Sequence, residues 1–466
     1  MSPTTLSDKR PIRFRFKALS KEARSDNSQE DFQNLKQTLQ QALKVAIALE
    51  FSTIPPYLTA LYSLKDKSSD AYRVIRSVAL EEMLHINLAC NLLNAIAEEG
   101  NEKTRPQFYG KLCIEKLVPE TAKEKEIKLP IAYPDTLLRP IFNGPRVQLM
   151  AASTDLMSQT FMAIEQPEPI DQKEKLEKGQ EFDTIGQFYA AIEKLFDELG
   201  KLGNNKNNEL FTGNKNWQRT DFYFGSGGGE PIKVTDIETA KKAIQQIMVQ
   251  GEGATPPTTT SYIPKQEYGT YNHYGMRTDG TYGPIVGTPY ELSHYFKFKA
   301  IADGVIPLPS VYPMLPNPSL DKFKLDGDHN PDAHYLSQIF SMCYSLLVEA
   351  LEKIFQSSTS DTDDYYFTIV VALMQNAFPL LATQLMQTPV LKEGDATLGP
   401  TAGPCFEENW CECSECTSLD GIKKLVFCIN VQINQFLPEM SSRARETLEA
   451  VRATIEDINS KCAAKS

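Results

Sequence analysis

Apolar residues recur at helical spacing over most of this chain, and strand-like alternation is rare. Between Asp31 and Leu64 the stripe Leu35, Leu39, Leu43, Ala46 and Ile47 marks a first long amphipathic helix. Pro55 and Pro56 fall inside it, about one turn beyond Glu50, where lost backbone donors predict a kink. Asp66–Ser69 has turn composition, and a second long helix runs from Asp70 to about Glu99, stopped by Gly100. Further helices are predicted over Phe182–Leu199, Thr235–Gln250, Thr288–Asp303, Ala333–Phe355, Tyr365–Met386, Leu419–Leu437 and Pro438–Lys461. Thr288, Pro289 and Glu291 suit the cap, the first helical position and the far half of a capping box. Residues 101–180, rich in Pro, Lys and Glu, read as an irregular insertion with short strands at Lys111–Val118 and Val147–Ile164.

The chemistry lies in a repeated pattern on these helices. Glu82-Met83-Leu84-His85 and Glu291-Leu292-Ser293-His294 each put a carboxylate and an imidazole three residues apart, hence on one helical face. Two such pairs, with single Glu residues from two further helices, form the ligand set of a dinuclear iron or manganese four-helix bundle. The first pair sits among Val78, Ala79, Leu80, Leu84, Ile86, Leu88 and Ala89, where unpaired polar groups are costly. Glu81 either faces outward or supports the ligands. Glu50 lies about as far before the Asp66–Ser69 turn as Glu82 lies after it, roughly 20–25 Å at 1.5 Å per residue. An antiparallel hairpin therefore brings Glu50 level with Glu82 and His85.

The second pair competes with the capping role of Glu291. Only five His occur in the chain, and His273, His329 and His334 have no matching carboxylate spacing. The remaining carboxylate is either Glu193, mid-helix and four residues after Tyr189, or Glu252, at a helix end beside glycines. Tyr57 and Tyr189 are either hydrogen-bonding supports of the ligands or packed core tyrosines. The expected organisation is an arm over 1–29, a metal-binding helical domain with insertions over 30–306, a linker over 307–332 and a helical region over 333–466.

Composition narrows the alternatives. A formal charge of −12 argues against nucleic-acid binding. The N-terminus lacks a signal-peptide core, and Tyr365–Met386 contains Gln375, Asn376 and Pro379, so it reads as a buried helix and not a membrane span. These features point to a cytoplasmic protein without membrane association. Nine cysteines, an odd number with five crowded between Cys405 and Cys428, do not form a secreted disulfide framework. Cys405, Cys411, Cys413 and Cys416 lack double Cys-x-x-Cys spacing and read as buried or redox-labile thiols in preference to a zinc site. The Gly225–Gly229 run does not open a helix and reads as a loop.

Leu43–Tyr62 (LKVAIALEFSTIPPYLTALY) and Val78–Ala97 (VALEEMLHINLACNLLNAIA) resemble the ferritin-like domain of the violacein-pathway iminophenylpyruvate dimer synthase and its chromopyrrolic acid synthase relatives. Thr184–Tyr189, Gln250–Gly253, Glu291–Phe296 and Ala402–Glu407 extend the resemblance over most of residues 35–410. The resemblance implies a mainly α, ferritin-like four-helix bundle with irregular insertions and an additional C-terminal helical region. It also implies oxidative chemistry on a small amino-acid-derived metabolite, and haem is associated with the coupling relatives.

The leading expectation is an O2-dependent non-haem di-iron oxidoreductase of specialised metabolism, with manganese as the alternative metal. Glu50, Glu82, His85, Glu291 and His294, completed by Glu193 or Glu252, would hold the metals, and the Tyr262–Tyr282 loop would help shape the cavity. Its partners would be a small-molecule substrate and O2, with a homo-oligomer or a pathway partner enzyme as further associations. The competing readings are imine coupling linked to haem or a partner enzyme, ferroxidase or iron storage, and a scaffold with a vestigial site.

Overall fold

The computed structural model describes residues 28–118, 123, 125–134, 146–167, 182, 184–203, 210–220, 229–251, 292–357, 365–410 and 421–463. Several expectations lie outside them: the arm up to residue 27, the capping box at Thr288–Glu291, the Tyr262–Tyr282 loop, Gly225–Gly228, Cys411, Cys413, Cys416, His273, Glu252 and Glu291.

Two long helices form the first hairpin, α1 (Ser28–Ser63) and α2 (Asp70–Ile96). Ser69 caps α2 by accepting a hydrogen bond from Tyr72 N, which explains the abrupt start after the turn. Helix α1 continues through Pro55 and Pro56 as one element. Pro56 removes the N–H that would serve the Ser52 carbonyl, and the Tyr133 hydroxyl donates to that carbonyl instead. Tyr133→Phe should therefore cost about 1–2 kcal/mol by leaving a buried acceptor unpaired, measured as a lowered denaturant midpoint at unchanged slope.

The insertion opens with an antiparallel hairpin of β1 (Gly110–Cys113) and β2 (Glu126–Leu129), pairing Gly110 with Leu129. The strand expected over Val147–Ile164 is instead helical: Thr154–Leu156, a π turn at Met157–Phe161 and Met162–Ile164, together α3. Ser153 starts α3 by accepting from Leu156 N. Leu156, Met157, Phe161 and Ile164 are buried at helical spacing, which is why the segment coils and does not extend.

Helices α4 (Ile185–Gly203) and α5 (Ile237–Gly251) complete the bundle: α4 packs on α1, α5 packs on α2, and α4 packs on α5. The four thus form a closed ring. Helix α6 (His294–Ala302) lies against α2, α3 and α5. It begins later than the expected Thr288, because Leu292 and Ser293 are not helical and Ser293, extended at φ −63° and ψ 163°, is its N-cap.

Beyond the bundle come α7 (Pro331–Gln356), α8 (π turns Tyr366–Val371 and Leu373–Ala377, then Phe378–Leu385), α9 (Gly421–Phe436) and α10 (Ser442–Ala463). Asn330 caps α7 through Asp332 N, with Pro331 at the first position. Among the described residues, Thr368–Leu385 is the one stretch long and apolar enough to cross a bilayer; half of it is buried, and α8 packs on α7 and α10. The segment expected as a linker is hydrogen-bonded on both sides, Tyr312 N to Ser63 O and Thr401 N to Pro313 O. Most of the buried apolar residues described form one connected core from Phe32 to Ile458. Cys428 is disulfide-bonded, whereas Cys90, Cys343 and Cys405 are buried thiols.

Candidate metal centre

Six elements converge at mid-height of the bundle. Helix α1 contributes Glu50, Thr53 and Tyr57, which share one face at offsets of three and seven. Helix α2 contributes Glu81, Glu82 and His85. Glu165 follows α3 directly, Tyr189 comes from α4, Gln250 from the last turn of α5, and His294 with Lys297 from the first turn of α6.

Glu82 is the hub. Its Oε1 lies 2.8 Å from His294 Nδ1 and 3.8 Å from His85 Nδ1, while its Oε2 accepts from the Thr53 hydroxyl at 2.8 Å. His85 Nδ1 is also 3.5 Å from Glu50 Oε2, and His294 Nδ1 is 3.6 Å from Glu165 Oε2. The imidazoles lie nearly parallel, centroids 5.3 Å apart. Tyr189 donates to Glu50 Oε1 at 2.5 Å and Tyr57 to Glu165 Oε1 at 2.5 Å. On the outer side, His294 Nε2 meets Glu81 Oε2 at 2.7 Å, and Lys297 Nζ donates to that oxygen at 2.7 Å.

The donor set fits a divalent metal. Glu82, His85 and His294 offer donor atoms within 4.8 Å of one another, all buried. His294 Nδ1 makes no hydrogen bond despite its 2.8 Å approach to Glu82. The two atoms therefore converge on a shared point and not on each other. Four buried carboxylates (Glu50, Glu81, Glu82, Glu165) crowd around His85, His294 and Lys297. In an apolar interior carboxylates held this close favour a proton or a cation between them. Carboxylates with imidazoles suit iron or manganese.

The electrostatics record the same crowding. Burial, then the Glu165 charge, push the Glu82 carboxyl up to about 8. Glu50 is also opposed by burial, but its hydrogen bond to His85 and the His85 charge outweigh that and hold it below the usual carboxylate range. Burial works against protonation of both histidines, yet the surrounding carboxylates raise His85 and raise His294 well above the ordinary value. Burial, then Glu165, raise Tyr57, and burial, then Glu50, raise Tyr189; both hydroxyls stay protonated donors.

A narrow cavity reaches the centre between the start of α4 and the end of α5, lined by Ile185, Gly186, Ile247, Met248 and Gly251 outside the polar residues. About 20 Å³ is free to the centre of a water molecule, room for little more than one. A Cβ on Gly251 would stand 3.3 Å from Glu165 Oε2, so the end of α5 closes directly over that carboxylate.

The structure brings together Glu50, Glu82, His85 and His294 with Tyr57 and Tyr189. It does not bring in Glu193, which is half-buried, interacts with Lys241 on α5 and does not line the cavity, although it lies four residues from Tyr189 on α4. Glu252 and Glu291 lie outside the described residues; α6 begins at His294, with Ser293 as its N-cap. Glu81 does not face outward: it is 1% exposed and braces His294. Glu165 directly follows the Val147–Ile164 stretch expected as a strand; the signal that points to it is the Ser153 cap followed by apolar residues at helical spacing. Of the remaining histidines, His329 pairs with Asp326 and His334 bonds the Phe323 carbonyl.

The ferritin-like family pattern matches residues 43–303, and the chain belongs to that family. A solved ferritin-like protein from Caulobacter vibrioides is similar over 69% of this chain and 87% of its own length, at 20% identity and a TM-score of 0.41. No curated protein matches the chain.

Proposed function

We propose that this protein is an O2-dependent non-haem di-iron oxidoreductase acting on a small amino-acid-derived metabolite. The observation that carries the reading is the convergence of Glu50, Glu82 and His85 with Glu165 and His294 in a buried, apolar-lined cavity. Glu50 and His85 would hold one metal, Glu165 and His294 the other, with Glu82 between them. Iron bound there would supply the electrons for reducing O2.

The protein's own residues set the conditions. Thr53 fixes the orientation of Glu82 through its Oε2. Tyr189 and Tyr57 each hold a proton against one oxygen of Glu50 and Glu165, leaving the other oxygen free for a metal. Phe161 and Phe298, with centroids 4.7 and 5.1 Å from the Tyr57 ring, keep water from that side. Haem suits the donors less well, because its iron takes single axial His, Cys, Met or Tyr ligands and not a carboxylate cluster. The substrate class rests on the sequence resemblance to the violacein-pathway coupling enzymes, which also keeps imine coupling as a variant of this reading.

A second reading, ferroxidase activity without an organic substrate, is favoured by the small size of the cavity. Anaerobic Fe(II) loading followed by O2 exposure distinguishes them. The expected result is about two irons per chain, with ferric absorption in the near ultraviolet and reoxidation after one turnover only when reductant is added. Continuous consumption of Fe(II) with release of ferric iron would favour ferroxidase. A Soret band in the purified protein would overturn the non-haem assignment.

A further inference from the structure

Both histidines aim Nδ1 at the centre, but their Nε2 atoms meet different partners. His294 Nε2 is 2.7 Å from Glu81 Oε2, whose carboxylate is ion-paired with Lys297 at 2.7 Å, all three side chains at most 1% exposed. His85 Nε2 is 3.1 Å from Gln250 Oε1, a neutral amide on a half-buried side chain at the end of α5. An imidazole that binds a metal through Nδ1 carries its proton on Nε2 and donates it outward. A carboxylate is the stronger acceptor, so it returns more electron density to the ring than an amide does. Lys297 keeps Glu81 in its anionic form in a dry interior, where an unpaired carboxylate would be costly.

We infer that the Glu81–Lys297 pair makes His294 the stronger ligand, so that the metal position beside His294 and Glu165 binds a dication more tightly than the position beside His85 and Glu50. Glu81, Lys297 and Gln250 are positioning residues, acting through the histidines. The inference rests on the dinuclear reading. Its consequence is stepwise loading, with the first metal beside His294 on α6 and the second beside His85.

The test is Mn(II) titration of the metal-free full-length protein, followed by calorimetry and by the electron paramagnetic resonance of free Mn(II). Wild type should take up two ions in two resolved steps. Glu81→Gln, which preserves shape, should weaken the tight step about 10–100-fold and leave the other nearly unchanged. Lys297→Met should act in the same direction. Gln250→Glu should strengthen the weak step and draw the two together. Circular dichroism of each metal-free variant establishes that it is folded. Two steps that move equally, or not at all, in Glu81→Gln would overturn the inference while leaving the dinuclear reading intact. Uptake of a single Mn(II) by wild type would overturn the dinuclear reading and the inference with it.

Discussion

Glu82→Gln is expected to empty the centre, lowering metal content after Fe(II) loading from about two ions per chain to fewer than about 0.2, as measured by plasma mass spectrometry. One oxygen of Glu82 faces both His85 and His294, at 3.8 and 2.8 Å, so this carboxylate cannot be removed from one metal position alone. An amide in its place turns half of its ligand capacity into donors that repel a cation. Glu165→Gln should spare the His85 side and retain about one ion per chain. Glu193→Gln, altering a carboxylate that interacts with Lys241 outside the cavity, should bind as wild type does. Full metal content in Glu82→Gln would remove the centre as described, and loss of metal in Glu193→Gln would return that residue to the ligand set.

The metal-free protein should lose stability as pH rises from about 5 to 9, with Tm falling on the order of 5 °C, whereas the metal-loaded protein should show little slope. Glu82 has its folded pKa raised from 4.5 to about 8. Above about pH 4.5 the unfolded chain gives up this proton while the folded protein retains it, so the penalty accumulates up to about pH 8. His85 and His294 are also raised, and the stability they contribute is full below their unfolded value and lost as pH passes the folded ones. The three effects have the same sign. Glu50 is lowered and contributes stability above the unfolded carboxylate range, constant across this window. A bound dication replaces the protons, which is why loading should flatten the curve. Glu82→Gln removes the titrating hub and should reduce the slope in the metal-free state. Melts of metal-free protein that are flat over this range, or that rise, would contradict the account.

Much of the fold was legible because helical burial is periodic. The Leu35–Ile47 stripe and the apolar residues around Glu82 mark α1 and α2, and the distances of Glu50 and Glu82 from the turn already imply that they meet. The errors fall where local signals compete. The segment leading to Glu165 is non-helical up to Ser153 and then coils for only about three turns around a π turn at Met157–Phe161, too short a stretch for its helical spacing to stand out from the strand-like residues before it. Thr288, Pro289 and Glu291 match a cap, yet Ser293, five residues further on, is the residue with extended backbone at the start of the helix carrying His294.

By itself the sequence determined that Glu82 and His85 share a helical face, that Glu50 lies level with them, and that a carboxylate- and imidazole-rich centre belongs in a helical bundle. Those conclusions follow from the 3.6-residue repeat and the constant rise of a helix. Only the tertiary structure decided that Glu165 and not Glu193 joins the centre, that Tyr57 and Tyr189 bind its carboxylates, and that Glu81 with Lys297 braces one histidine while Gln250 meets the other. These depend on approaches between residues 108 to 216 positions apart, from Tyr57 with Glu165 to Lys297 with Glu81. No local repeat encodes such approaches, because they are set by how the helices pack.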